Sequence, residues 1–135
     1  GDIWDGDAIE VVISTDPKLP MEREYLSNKD FQIGFSPGDG GINRPSIWIW
    51  QKKRSPRNSD IKAVRKVDPQ GYIIEAKVPW SELGVFKPKN GIKVGFDVSL
   101  DDADVKFKRE AQLVWSGDYF FYKDPNMWGE LEFIK

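Results

Sequence analysis

Apolar and polar residues alternate along most of the chain with a period of two, the spacing of side chains on the two faces of a β-strand. The first clear run covers residues 8–14, and the last, WGELEFIK, ends the chain. About eight such runs are separated by short segments rich in Gly, Pro, Asn and Asp. Only PWSELG, at residues 79–84, carries signals of a helical turn. The pattern predicts an all-β fold, an antiparallel β-sandwich (jelly-roll-like) of about eight or more strands, in a single domain covering residues 1–135.

The second face of several predicted strands carries short polar side chains and glycine rather than long charged ones. The residues concerned are Glu10, Ser14, Gln32, Gly34, Ser36, Asp97, Ser99 and Asp101. An antiparallel sheet with one packed and one polar face is normal where the polar face meets water. Small residues would, however, leave that surface hollow. Two interpretations stay open, an ordinary wet face and a concave site lined by acids and amides.

Composition narrows the classes of partner and chemistry. The formal net charge is −2 and acids and bases are mixed along the chain, so we expect neither nucleic acid nor an anionic membrane as a partner. No apolar run approaches the roughly 18 residues of a membrane helix. The chain has neither Cys nor His. This excludes disulfides, a thiol nucleophile, a histidine base and a Cys/His metal site.

Aromatic residues are numerous, and several lie in polar segments. Trp4 stands among aspartates, and residues 117–129 read GDYFFYKDPNMWG. Neighbours in an extended chain point in opposite directions, so at least one of the aromatics at 119–122 is expected at the surface. Flat aromatics beside carboxylates and amides are typical of sugar sites. The alternative is that they cover one end of the sandwich. Trp80 and Trp115 are assigned to the sandwich body. For Trp48, Trp50 and Trp128 the sequence leaves open whether they belong to the core or to the binding face.

Several segments, in order, resemble the family-nine carbohydrate-binding modules. They are WDGDAIEVVIS, GYIIEAKVPWSELGV, GIKVGFDVSLDDAD, LVWSG and DPNMWGELEFIK. The resemblance implies a non-catalytic β-sandwich, appended to a glycoside hydrolase or other extracellular modules. It also implies an extracellular location, secreted or on a bacterial cell surface. The implied ligand is a plant cell-wall polysaccharide or oligosaccharide of the cellulose or xylan type.

The resemblance also implies particular site residues. An aromatic clamp holds a terminal sugar, and its two positions are Trp4 and Tyr122 here. The strand glutamate that hydrogen-bonds the sugar corresponds to Glu10, and Gln32 matches a polar position on the adjoining strand. The predicted ligand-binding residues are Trp4, Glu10, Gln32, Ser36, Asp102 and Tyr122.

Two departures concern the binding strand and the start of the fold. Where sugar-binding modules of the family carry Arg and Asn, this chain has Gly34 and Ser36. A bidentate donor to neighbouring hydroxyls is thereby lost, unless Arg44, Trp48 or the basic loop at 51–57 replaces it. The family pattern also has strands upstream of the Trp4 segment. Two interpretations stay open: the chain is a fragment of the domain that lacks the upstream strands, or those strands come from another segment or a second chain. A sandwich without them has an open sheet edge, which invites pairing between chains.

The acidic turn SLDDAD supplies Asp101, Asp102 and Asp104. Carboxylate oxygens suit calcium, although the turn lacks the EF-hand pattern. The family includes modules with structural calcium, so the resemblance allows that ion and no other cofactor. An acidic turn without a metal is the alternative.

Three further interpretations stay open. The first is a structural or docking module with a degenerate sugar site. The second is a glycosidase, in which Glu10 and either Asp97 or Asp101 would have to stand about 5 to 10 Å apart. The third is a b-type haem domain, for which Met21 or Met127 with a lysine would have to supply the axial ligands.

Overall fold

A computed structural model of the protein describes residues 3, 6–67, 70–105 and 108–135, without the side chains at 65–67 and 70. The described part contains strands and three 3-10 turns, Trp50–Lys52, Trp80–Leu83 and Pro125–Met127, and no α-helix. No described helix is long and apolar enough to cross a membrane. The predicted antiparallel β-sandwich of about eight strands is confirmed. The strands are β1 (Ala8–Ser14), β2 (Asp30–Ser36), β3 (Ser46–Ile49), β4 (Asp60–Val67), β5 (Gln70–Lys77), β6 (Lys93–Asp102), β7 (Ala111–Val114) and β8 (Gly129–Glu132).

One large sheet forms most of the fold, in the order β3-β2-β1-β6-β7, with β8 pairing to the other part of β6. Strands β4 and β5 form a separate two-stranded sheet. All pairs are antiparallel, as short connections between neighbouring strands favour. The register places Glu10 opposite Gly34 on β2 and opposite Ser99 on β6. The polar positions of three strands therefore share one face of the sheet.

The other face of the large sheet carries the main core. Its alternating apolar residues pack against Ile61 of β4, Val78, and Leu83 in the 3-10 turn after β5. Each large apolar side chain buried in this way contributes about 1.5 to 3 kcal/mol. Trp80 packs edge-on against Phe86, with ring centroids 5.2 Å apart. The fully buried members are Ile13, Phe31, Ile33, Ile47, Ile49, Leu83, Phe86 and Val94.

Trp115 does not lie inside the sandwich body, which corrects the sequence assignment. Its side chain is 59% exposed and packs against Phe96, with ring centroids 6.3 Å apart. The reason is its position directly after β7, the last strand of the sheet order. Leu100 and Leu113, which face each other on β6 and β7, are also exposed there.

The polar face is partly covered by the segment between β7 and β8. Phe121 and Trp128 belong to this segment. Their side chains are buried against Val12 of β1 and form a second, smaller core with it. The indole Nε1 of Trp128 donates to the Phe121 carbonyl at 2.6 Å. Arg23 and Asp30 form a buried bidentate ion pair at 2.6 and 2.7 Å, and the guanidinium lies over Trp128. The face is therefore neither a plain wet surface nor fully packed.

Asp97 holds the start of this covering segment in place. Its Oδ1 accepts from the backbone N–H groups of Val98 and Ser116, and its Oδ2 accepts from that of Gly117 at 2.7 Å. A Cβ at residue 117 would lie 2.9 Å from that oxygen, so only glycine allows the close approach. A buried carboxylate on β6 thus fixes the direction in which the covering segment leaves β7.

Candidate functional site: a pocket on the polar face

A pocket of about 290 Å³ opens between the polar face and the covering segment. This volume is near the lower end of the range of small-molecule sites, roughly 300 to 1,000 Å³. Strands β1, β2 and β7 supply its floor, and three connections supply its walls. The lining residues are Glu10, Gln32, Trp50, Arg109, Gln112, Tyr119, Phe121 and Tyr122.

The floor is a connected set of polar side chains around Glu10 and Asp101. Both are almost fully buried. The Nε2 of Gln32 donates to Glu10 Oε2 at 2.5 Å. On the other side, Asp101 Oδ1 accepts from Gln112 Nε2 at 3.0 Å and from Arg109 Nη1 at 3.1 Å. The register creates this arrangement, because Asp101 lies opposite Gln112 and two residues beyond Ser99, the partner of Glu10.

The pKa of Glu10 is raised to about 8. The largest cause is burial, and the hydrogen bond and charge of the neighbouring Asp101 carboxyl add to it, whereas Gln32 and Arg109 lower the pKa. Glu10 is therefore mostly protonated at pH 7. A protonated Glu10 can donate to Asp101, whose Oδ2 is buried and accepts no other hydrogen bond from the described residues. The Arg109 guanidinium, 3.1 Å from Asp101 Oδ1, brings a positive charge to the same cluster.

Aromatic rings from the covering segment form one wall of the pocket. Tyr119 and Tyr122 meet edge to face, with centroids 6.4 Å apart and planes at 90°. The Arg109 guanidinium lies 5.2 Å from the Tyr119 ring centroid, and Lys123 Nζ lies 5.7 Å from that of Tyr122. Phe121 is fully buried, whereas its three aromatic neighbours are exposed. This confirms that at least one of these aromatics is at the surface.

Three of the six predicted ligand-binding residues line the pocket, namely Glu10, Gln32 and Tyr122. Ser36 does not; its Oγ accepts from the N–H of Gly38 in the turn after β2. Asp102 is exposed and does not line the pocket either, since it points to the opposite face from Asp101. Trp4 lies outside the described residues.

Five lining residues are not among the predicted ones: Trp50, Arg109, Gln112, Tyr119 and Phe121. Gln112 follows the alternation of β7, so strand pairing with Asp101 could have identified it. Arg109 lies in the connection between β6 and β7 and has no periodic signal. Trp50 lies in a 3-10 turn directly after β3, where the strand pattern ends.

The acidic turn proposed for calcium does not gather its carboxylates. Asp101 is bound to Arg109 and Gln112 on one face, and Asp102 points to the other. No cluster of three or more candidate metal-ligating acids occurs within residues 3, 6–67, 70–105 and 108–135. These residues do not fit a calcium ion, and calcium stays an untested prediction.

The arrangements required by the enzyme and haem alternatives differ from the observed one. Asp97 is occupied by three backbone N–H groups. The Asp101 and Glu10 carboxyl groups interact directly with each other rather than standing on two sides of a ligand. Neither Met21 nor Met127 lines the pocket.

Comparisons with known proteins agree on one family. The family model described as "Carbohydrate family 9 binding domain-like" matches residues 1–135. Endo-1,4-beta-xylanase A of Thermotoga neapolitana is 33% identical over 98% of this chain, and Exoglucanase XynX of Acetivibrio thermocellus is 31% identical over 84%. The chain spans only 14% and 11% of the length of these two proteins.

Solved structures show the same fold. A family 9 carbohydrate-binding module from Caldicellulosiruptor kristjanssonii, in complex with glucose, superposes with a TM-score of 0.72 at 17% identity. The superposition covers 98% of this chain and 61% of that chain. A second structure, with cellotriose, gives the same TM-score and identity and covers 60% of its chain.

Proposed function

The chain belongs to the carbohydrate family 9 binding domains, and from that premise we propose that it binds a plant cell-wall oligosaccharide or polysaccharide, of the cellulose or xylan type, in the pocket on the polar face. The protein acts as a binding module and performs no chemistry on the sugar. Tyr122 stacks on a sugar ring, with Trp4 as the predicted second plate, and Glu10 and Gln32 hydrogen-bond its hydroxyl groups.

The observation that carries the proposal is the composition of the pocket. Aromatic rings stand on one side, and carboxyl, amide and guanidinium groups stand on the floor. A pyranose ring has apolar C–H faces and a polar hydroxyl rim, so it needs both surfaces at once. The small volume suits one or two sugar units.

The carboxyl groups support binding rather than hydrolysis. A glycosidase needs two carboxyl groups about 5 to 9.5 Å apart, on opposite sides of the scissile bond. The Glu10 and Asp101 carboxyl groups interact directly with each other in the buried floor, which is not the arrangement of an acid and a nucleophile on two sides of a sugar.

The relatives suggest where such a module works. Two of them are named endo-1,4-beta-xylanase and exoglucanase, and each is far longer than this chain. We propose the same setting here, with the module attached to a glycoside hydrolase outside the cell. In that setting it would hold the enzyme near its polysaccharide and raise the effective substrate concentration.

A glycan-array screen followed by calorimetry tests the proposal. The ligands are xylo- and cello-oligosaccharides with free and with blocked reducing ends. We expect the wild type to bind at least one of them, and the Trp4→Ala, Tyr122→Ala double variant to lose that binding while remaining folded. Tyr25→Ala is the matched control, since this tyrosine is 65% exposed and does not line the pocket. A folded wild type that binds no sugar would contradict the proposal and favour a docking module.

A further inference from the structure

We propose that Trp50 and Arg109 are sugar-binding residues of the pocket, Trp50 as an aromatic surface and Arg109 as a hydrogen-bond donor, and that the site they complete selects uncharged sugars. This inference rests on the proposed function and extends it. Neither residue belongs to the set that the sequence predicts. Trp50 lies in the connection after β3, at one edge of the large sheet, and Arg109 lies in the connection before β7, at the other edge.

Trp50 reaches the floor because residue 34 is glycine. A Cβ at that position would lie 2.5 Å from Cη2 and 2.9 Å from Cζ3 of the indole. Any larger residue at position 34 would therefore displace the indole. Since Gly34 lies opposite Glu10, the indole stands beside the Glu10 and Gln32 side chains. The indole of Trp50, in the connection after β3, thus fills the space that a side chain at position 34 would occupy.

The turn that carries Trp50 is held in a fixed position. Gln51 Oε1 accepts from the backbone N–H of Gln32 at 2.8 Å, which ties the turn to β2. Lys53 ends the turn in a left-handed conformation, and its N–H donates to the Trp50 carbonyl at 3.1 Å. An aromatic surface that is already positioned loses little conformational entropy when a ligand binds.

Arg109 supplies the donor groups. A guanidinium has five N–H donors, and among the described residues this one donates a single hydrogen bond, to Asp101. The guanidinium also lies over the Tyr119 ring. The guanidinium therefore links the polar floor to the aromatic wall, with further donors available to a ligand. In the same pocket, Gln112 Oε1 is buried and accepts no hydrogen bond within the described part of the chain. A sugar hydroxyl that accepts from Arg109 and donates to Gln112 would satisfy both groups.

The charge of the floor selects the class of sugar. Asp101 is paired with Arg109, and the second carboxyl, Glu10, keeps its proton in the buried pair. The floor is therefore close to neutral. A uronic acid would bring its carboxylate to a guanidinium whose charge Asp101 already balances, and an amino sugar would bring its ammonium against the positive charge of Arg109. Either ion would lose its hydration without gaining a free counter-ion.

Calorimetric titration with cellotriose compares the wild type with Trp50→Leu and Arg109→Lys. We expect each variant to bind about tenfold more weakly, because Leu lacks the ring face and Lys lacks the planar fork. Trp80→Leu and Arg44→Lys are matched controls outside the pocket and should bind like the wild type. Gly34→Val is a second route to the same result. It changes no group that lines the pocket but displaces the indole, and it should weaken binding as Trp50→Leu does.

The outcomes separate this inference from the proposed function. If Tyr122→Ala weakens binding but folded Trp50→Leu, Arg109→Lys and Gly34→Val bind like the wild type, the inference is wrong and the proposed function stands. If the wild type binds no neutral oligosaccharide, both are wrong. A glucosamine trisaccharide and a trisaccharide ending in glucuronic acid complete the series. Binding of either one as tight as that of cellotriose would overturn the selection of uncharged sugars.

Discussion

Glu10 occupies a position on β1 where burial and a second carboxyl group both oppose its ionisation. Its pKa is about 8 in the folded protein, against 4.5 for an ordinary glutamate. Between pH 4.5 and pH 8, the folded state therefore keeps a proton on Glu10 that the unfolded state has already released. The free energy of unfolding falls as the pH rises from about 4.5 to about 8, and the loss is complete above pH 8. At roughly 1.4 kcal/mol for each unit of pKa, the total loss amounts to several kcal/mol.

Replacing Glu10 by Gln should remove this dependence. The amide cannot ionise, yet it can donate to Asp101 as the protonated acid does and accept from Gln32. We expect the melting temperature of the wild type to fall between pH 5 and pH 9, and that of Glu10→Gln to fall much less. Glu75→Gln, an exposed change of the same kind on β5, should follow the wild type. Equal pH profiles for all three proteins would contradict the assignment of a buried proton to Glu10.

The sequence predicts some residues of the pocket correctly and misplaces others, and the reason for this difference is physical. Glu10 and Gln32 belong to regular strands, where alternation decides which face a side chain occupies, and both lie in the pocket. The sequence predicts Asp102 as a binding residue, whereas in the structure its neighbour Asp101 contacts the pocket residues Arg109 and Gln112. That difference of one position reverses the face, so the strand register decides it.

Among the elements, the segment between β7 and β8 contributes the aromatic wall. Asp97 fixes its start, and the Trp128 indole bonds to Phe121 in its middle. With Phe121 anchored inward, the tyrosines on either side of it point outward to the pocket. The binding surface therefore depends on a carboxylate that lies outside the pocket lining.

We expect Asp97→Ala to destabilise the fold by about 3 kcal/mol or more, since three backbone N–H groups lose a charged acceptor. Asp118→Ala is the matched control in the same segment, where the carboxylate accepts one exposed hydrogen bond from Phe120. It should cost less than about 1 kcal/mol. Urea unfolding measures both. Equal stability of the two variants would show that Asp97 does not hold the segment.

The elements themselves are more predictable than the connections between them. A period of two marks the strands because half of each strand must be buried, and the 3-10 turn at Trp80–Leu83 lies within the segment that carries helix signals. Trp50 and Arg109 escape prediction because their positions depend on neighbours distant in sequence, Gly34 in one case and Asp101 with Tyr119 in the other. No local pattern records such contacts.

At the scale of the whole molecule, the two faces of the large sheet have different roles. One face carries the larger core and packs against Ile61 of β4, Val78 and Leu83 of the 3-10 turn after β5. The other carries a small second core and the pocket. The formal net charge of −2 gives the protein little long-range attraction for charged partners, which agrees with recognition of an uncharged ligand.

The central claim is that a sugar binds in the pocket on the polar face, and an NMR titration tests it most directly. Cellotriose and xylotriose are added to ¹⁵N-labelled protein, and the side-chain signals are followed. We predict that one of the two sugars shifts the amides of Gln32 and Gln112 and the indole N–H of Trp50, and leaves the indole N–H of Trp80 unchanged. Shifts confined to Trp80 or Trp115, or no shifts with either sugar, would contradict the account.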